Sequence, residues 1–311
     1  MIELKSFAKI NLGLEVVGKR DDGYHNLKTI FQTIDLFDTI EIKENRTGRL
    51  TVSGDDDSVV WDERNTISRA FASFFEYTGL CRGFDVFVKK KIPPGSGLGG
   101  GSSNAAVILL FLNEYFKNHL TPGELIKIAT GIGADVPFFL LGGTVLGEGI
   151  GEKLTLLEDL EMRNIGIVVP HLLVSTGLIF SKLRLTRRPF KSKIDIFMKS
   201  KKFSILENNL EKITFKLFPE VRLIKEKMKN SMVCDVVLMS GSGSAIYCIT
   251  EERDTAVLKK LFPACTAHTV NTISRQLYLN SIGALPSGKA PVFGAGIRRF
   301  ESCRPREQKN V

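Results

Sequence analysis

The sequence contains no long apolar run. Its longest, at residues 105–112 and 136–141, fall well short of the ~18 apolar residues that would suggest a membrane span. The start, Met1-Ile2-Glu3-Leu4-Lys5-Ser6, lacks a basic stretch followed by an apolar block, so no signal peptide is expected. Cysteine is sparse. The five residues, at 81, 234, 248, 265 and 303, are odd in number and include no Cys-x-x-Cys pair. That argues against a disulfide framework and against a structural zinc site, and favours a cytoplasmic location. Long repeats and long linkers are also missing. The net charge is +9, yet no basic patch interleaved with aromatics marks a nucleic-acid surface. Residues 281–311 carry six Lys/Arg against two Asp/Glu, so four of the nine charges sit there, and a second basic run lies at 182–202. The remaining balance suits anionic small substrates. Neither a nucleic acid nor a membrane is the expected partner.

What is present suits a globular protein: 311 residues, 43% hydrophobic and 25% charged. Alternating patterns predict strands over 36–42 and 84–89. Asn65 is placed to cap a helix with Ile67, Ala70, Phe71, Phe74 and Phe75 on one stripe. Thr121-Pro122-Gly123-Glu124 reads as a capping box with proline in the first turn. The second half predicts strands at 165–169, 233–239, 245–250 and 267–272, with helices near 205–215, 220–229 and 254–262. Strands and helices mix without strict alternation, which predicts an α+β fold in two lobes. Residues 1–155 form the expected N-terminal domain and 156–280 the C-terminal one. The basic segment 281–311 is expected to be disordered. A monomer and a homodimer are both compatible with the sequence.

The most informative segment runs from Pro93 to Asn104, PPGSGLGGGSSN. The two prolines stop a strand. Gly95, Gly97, Gly99, Gly100 and Gly101 then open backbone conformations closed to other residues, at roughly 1 kcal/mol of chain entropy each. Ser102 and Ser103 can cap the helix that follows, whose N-terminus offers free N–H groups and a positive dipole end to a phosphate. A merely flexible turn is a costly explanation of so many glycines. Three phosphate loops compete. Walker A requires a Gly-Lys-Ser/Thr end, and no lysine is present. Gly95 to Gly100 satisfies GxGxxG, but the acidic residue a dinucleotide site needs after the next strand is missing. The protein-kinase loop requires a hairpin and a valine where Ser102 stands. One acidic residue also stands out. Asp135 lies between Ala134 and Val136-Pro137-Phe138-Phe139, an apolar setting that is costly for an unpaired carboxylate. It is either a structural, helix-capping aspartate or a base.

The loop resembles the ATP loop of the GHMP kinases (galactokinase, homoserine kinase, mevalonate kinase and phosphomevalonate kinase). Ala8-Lys9-Ile10-Asn11-Leu12 resembles that family's first motif, and Met239-Ser240-Gly241-Ser242-Gly243-Ser244-Ala245 its C-terminal glycine motif. Asp21-Asp22-Gly23-Tyr24-His25 and Gly133-Ala134-Asp135-Val136-Pro137-Phe138-Phe139 resemble members that act on a cytidine-diphosphate-linked methylerythritol. The likeness runs from about residue 5 to residue 280. It implies an S5-like N-terminal domain, a ferredoxin-like C-terminal domain, and phosphorylation of that substrate's 2-hydroxyl by ATP with Mg²⁺. It implies an ATP loop of Pro94, Gly95, Ser96, Gly97, Leu98, Gly99, Gly100, Gly101, Ser102, Ser103 and Asn104. Lys9 and Asp135 become the catalytic pair. Tyr24 and Phe180 would sandwich a cytosine whose polar edge His25 reads. Asn11, Gly241, Ser242 and Gly243 would face the substrate. No acidic cluster announces the metal ligands, and Ser103 is one candidate. Two rival readings are a related kinase acting on mevalonate or homoserine, and a non-catalytic nucleic-acid-binding module. Tyr24, His25 and Phe180 disfavour the first, and the intact Lys9 and Asp135 disfavour the second.

Overall fold

The computed structural model of the chain describes residues 1–117, 119–184, 191–250 and 255–282. The N-terminal lobe opens with two long antiparallel strands, β1 (Ile2–Lys19) and β2 (His25–Asn45). Then come β3 (Leu50–Gly54), α1 (Thr66–Thr78) and β4 (Gly83–Lys89). Helices α2 (Gly100–Tyr115), α3 (Pro122–Ile132) and α4 (Val136–Leu141) follow, and strands β5 (Thr144–Gly149) and β6 (Lys153–Leu156) complete the lobe. The sheet order is β3-β4-β2-β5-β6, and β1 pairs with β2 off this path. The strands expected at 36–42 and 84–89 lie in β2 and β4. The Asn65 side chain accepts from Ile67 N (3.0 Å), with Ile67, Ala70, Phe71 and Phe74 buried beneath it. Phe75 is only partly buried. Thr121 and Glu124 close the capping box as expected.

The second lobe contains β7 (Ile165–Pro170), α5 (Thr176–Ser181), α6 (Lys193–Ser200), α7 (Glu211–Leu217), α8 (Pro219–Ser231), β8 (Cys234–Met239), β9 (Ile246–Thr250), α9 (Thr255–Leu261), β10 (Cys265–Val270) and α10 (Arg275–Ser281). Its antiparallel sheet, in the order β10-β7-β9-β8, is backed by α8 and α9. The four expected strands are there, with β10 starting and ending two residues early. The helix expected over 205–215 is broken. A 3-10 turn ends at Ile205 and α7 starts only at Glu211. Between them, the side chains of Asn208 and Asn209 satisfy backbone groups of other segments, which competes with helix formation.

Strand β1 has no counterpart among the expected strands. Ser6 to Val16 are all buried, so the strand has no polar face and no alternation. Leu4 and Phe7 enter one hydrophobic cluster, Ala8, Ile10 and Leu12 a second, and Leu14 and Val16 a third. One strand thus threads every core, which fixes its side chains firmly. Helix α10 crosses back to the first lobe. Ile273, Tyr278, Leu279 and Ile282 join its core, and the Ile282 carbonyl accepts from Lys5 N. Order therefore continues through residue 282, two residues into the segment expected to be disordered. The remainder of that expectation lies outside the described residues.

Candidate active site

After β4, Gly95, Gly97 and Gly99 take φ of 63°, 79° and 77°, in the left-handed region that favours glycine. Gly99 is the N-cap of α2, and no side chain caps that helix. Ser102 and Ser103, expected as caps, therefore sit inside it, because the helix begins earlier, at Gly100. Its first intrahelical bond runs from Ser103 N to Gly99 O (2.9 Å). The amides of Gly100, Gly101 and Ser102 precede that bond and are left for an anion. Space is as tight as conformation. A Cβ on Gly97 would stand 2.2 Å from Ser240 O, and one on Gly99 2.8 Å from the Phe139 ring. Gly97→Ala combines that clash with ~1–2 kcal/mol of left-handed strain. It is expected to lower kcat/KM for ATP at least ~10-fold, which steady-state kinetics checks.

The loop walls a cavity of about 1050 Å³. Residues 94–97, 99–102 and 104 line it. Leu98 does not, because its side chain is buried in the second cluster. Ser103 is also fully buried and accepts from the Ser6 hydroxyl (2.7 Å). Ser103 therefore does not line the cavity, whereas its neighbour Ser102 does.

Lys9 and Asp135 meet at its centre. A β-bulge between Phe7 and Lys9 re-aims β1 there. The Lys9 side chain is 2% exposed, and its Nζ lies 3.5 Å from Asp135 Oδ2. It donates to Asn11 Oδ1 (2.6 Å) and Gly97 O (2.8 Å). Three acceptors thus surround the three N–H groups of an ammonium. Burial pulls the Lys9 pKa down, and the Asp135 carboxylate opposes that only in part. Asp135 occupies the N-cap position of α4 but makes no capping bond, so its helix-capping reading fails. Its side chain is 34% exposed, enough to meet a substrate hydroxyl. Asn11 is held by Thr29, whose hydroxyl takes the Asn11 Nδ2 donor (2.9 Å) and donates to Gly13 O (2.6 Å).

The far end of the cavity is aromatic. His25 starts β2, is buried, and has its ring centroid 5.5 Å from that of Phe180 on α5, at 32°. Burial and the nearby Lys19 charge lower the His25 pKa, which keeps the imidazole neutral near neutral pH. Tyr24 is 61% exposed on the hairpin and also lines the cavity. The hairpin is held by Arg20 N to Tyr24 O (2.8 Å) and Tyr24 N to Asp22 Oδ1 (3.1 Å). Gly241 and Ser242 line the cavity, and the Ser242 hydroxyl lies 2.9 Å from that of Thr176 on α5. Gly243 is not among the lining residues and packs against Met239 and Thr214.

Sequence reasoning missed another part of this wall. Trp61, Arg64, Thr66 and Lys90 line the cavity near the loop, and so does Asn65, read only as a cap. Lys90 pairs with the fully buried Asp38, which also accepts from Lys91 N and Ile92 N (2.8 Å each). The two residues lie far apart in sequence, and no local pattern links them. Among the described residues no group of three or more His, Cys, Asp or Glu could hold a metal, and no helix is long and apolar enough to cross a membrane.

A two-lobed α+β fold with a glycine-rich helix N-terminus beside a buried lysine paired to a partly exposed aspartate defines a GHMP-type small-molecule kinase. The family models agree: GHMP kinases N terminal domain matches residues 65–143, and GHMP kinases C terminal matches 194–264. The chain is 41% identical over 249 residues to the 4-diphosphocytidyl-2-C-methyl-D-erythritol kinase of Persephonella marina, covering 78% of this chain and 89% of that one. It is 37% identical over 263 residues to the same-named protein of Caldicellulosiruptor bescii, covering 82% and 92%. A crystal structure of a 4-(cytidine 5'-diphospho)-2C-methyl-D-erythritol kinase superposes with a TM-score of 0.74 at 30% identity, over 87% of this chain and 99% of that one. The homoserine kinase of Cytophaga hutchinsonii, at 20% identity and a TM-score of 0.65, shares the fold. The chain belongs to the 4-diphosphocytidyl-2-C-methyl-D-erythritol kinase family of the GHMP kinases.

Proposed function

We propose that the cavity transfers the γ-phosphoryl group of ATP to the 2-hydroxyl of 4-diphosphocytidyl-2-C-methyl-D-erythritol. The observation that carries this reading is the Lys9–Asp135 ion pair, its lysine buried and its carboxylate open to the cavity that the glycine loop, His25 and Phe180 also line. The loop amides and the α2 N-terminus hold the ATP phosphates. Tyr24 and Phe180 grip the cytosine, and the neutral His25 bonds its polar edge. Asp135 accepts the hydroxyl proton as the oxygen–phosphorus bond forms, and the β–γ bridging bond breaks to release ADP. Lys9 stabilises the negative charge that the acceptor oxygen and the phosphoryl group share. Mg²⁺, which offsets phosphate charge, would meet oxygen side chains from Ser102 and Asp135, both on the cavity wall.

The deciding experiment is ADP release with the cytidyl substrate, homoserine and mevalonate compared side by side. Turnover is expected with the first alone, and activity confined to either of the others would overturn the reading. Stacking on an aromatic is worth ~1–3 kcal/mol per base. Tyr24→Ala is therefore expected to raise KM for the cytidyl substrate about 5- to 100-fold. Tyr24 is mostly solvated, so thermal stability should stay nearly constant. An unchanged KM in that variant would contradict the stacking role.

A further inference from the structure

The segment Glu207-Asn208-Asn209-Leu210-Glu211 interrupts a helical pattern and plays no part in the chemistry above. It lies against both halves of the site. Its backbone bonds to β1 on either side of Leu14, through Leu14 N to Glu207 O (2.9 Å) and Asn209 N to Leu14 O (2.8 Å). The Asn209 side chain also turns to β1, accepting from Val16 N (3.0 Å), whereas those of Asn208 and Glu211 reach the C-terminal glycine motif. Asn208 is 5% exposed, and its Nδ2 donates to Met239 O and to Gly241 O, both at 2.7 Å. Its Oδ1 accepts from Leu210 N (2.9 Å). Both amide N–H groups and one lone pair are therefore engaged, which fixes the side chain. Glu211 accepts from Met239 N (2.9 Å) and is neutralised by Lys225. Thr214 donates to Ser242 O (3.0 Å).

The two carbonyls that Asn208 holds flank Ser240. The Ser240 hydroxyl donates to Gly97 O (2.9 Å), the same carbonyl that Lys9 Nζ holds at 2.8 Å. The open side of Gly241 faces the reacting groups. A Cβ built there would lie 3.4 Å from Asn11 Oδ1 and Gly97 O, and 3.5 Å from Lys9 Nζ. Whatever fixes residues 239–241 thus fixes the wall against which Lys9 and the phosphate loop rest.

We infer that Asn208 is a positioning residue for phosphoryl transfer, holding the Ser240–Gly241 wall so that Lys9 and Gly97 keep their register. The inference rests on the proposed reaction. The test is Asn208→Asp, which keeps the Leu210 acceptor but turns a carboxylate oxygen toward two carbonyls. Misplacement of reacting groups by about 1 Å costs on the order of 100-fold. The expected result is a kcat about 100-fold lower with KM for the cytidyl substrate within about threefold, because Tyr24, His25 and Phe180 are untouched. Once protonated, the introduced carboxyl group can donate again. The turnover of the variant relative to wild type should therefore climb as pH falls, a response that a purely structural role would not give.

Asn113→Asp is the control. Asn113 is another buried asparagine on α2, which ties down Leu120 through two bonds. That change should lower Tm and leave kcat in place. Should Asn208→Asp fail to fold, Asn208→Ala decides on the same measure. A folded variant with kcat within about threefold of wild type, or a loss confined to KM for the cytidyl substrate, overturns the inference. A wild type inactive on that substrate sinks the proposed function instead. Asn208 is then judged by ATP affinity alone: a dissociation constant about tenfold weaker supports it, and an unchanged one overturns it.

Discussion

Asp135→Asn is expected to lower kcat by about 10²- to 10⁴-fold, the range over which a positioned general base contributes. Asparagine keeps the shape and can still accept a hydrogen bond, so the acceptor hydroxyl stays in place. It lacks the basicity to take the proton and the charge that faces Lys9 at 3.5 Å. Losses should therefore fall on kcat, with KM for both substrates within about threefold. The change should cost stability through Lys9 rather than through the helix. Asp135 caps nothing, although it stands at the start of α4. Its loss leaves the buried Lys9 ammonium without its counter-charge, so Tm should fall. The cost should be less than the about 3–5 kcal/mol of a fully buried pair, because Asp135 is 34% exposed. Steady-state kinetics with a thermal melt separates these expectations. Near-normal turnover in a folded variant would remove Asp135 from the proton's path. A loss shared equally by KM would make it a binding group.

Much of this site was legible because its parts are short and local. A helix N-terminus rich in glycine has few cheap explanations, and PPGSGLGGGSSN lies in one stretch of chain. The capping signals at Asn65 and Thr121 depend on side chains within three residues of the bonds they make, and both formed as read. The failures are equally physical. β1 carries Lys9 and Asn11, yet it is buried on both faces and shows no alternation. Helical periodicity over 205–215 was real, but two asparagine side chains found better partners in β1 and the glycine motif. The Asp38–Lys90 pair joins residues 52 apart, and only the pairing of β2 with β4 brings them together. Ser103 reads like Ser102 in the sequence, and only the early start of α2 decides which of them faces the cavity.

Lys9→Ala is expected to lower kcat by about 10²- to 10³-fold, the scale of losing one preorganised donor at a developing charge. Its consequences should reach further than those of the Asp135 change. The Lys9 ammonium also holds Gly97 O and Asn11 Oδ1, and truncation leaves both with one donor fewer. Ser240 still holds Gly97 O (2.9 Å), so the loop keeps an anchor and ATP binding should persist. The pH dependence supplies a second reading. Burial lowers the Lys9 pKa below the ordinary lysine value of 10.5. Its charged form is therefore lost as pH rises through that lowered value, and kcat/KM for ATP should fall on the alkaline side earlier than an ordinary lysine would allow. The linkage to stability has the opposite sign. Between the lowered value and 10.5 the unfolded chain binds more protons at this position than the folded one, so the Lys9 contribution to stability rises with pH there. Lys9→Met should flatten that rise while removing activity at every pH. An alkaline limb unchanged in position between wild type and a residual-activity variant would assign it to another group. Retention of more than about a tenth of turnover by Lys9→Ala would take Lys9 out of phosphoryl transfer altogether.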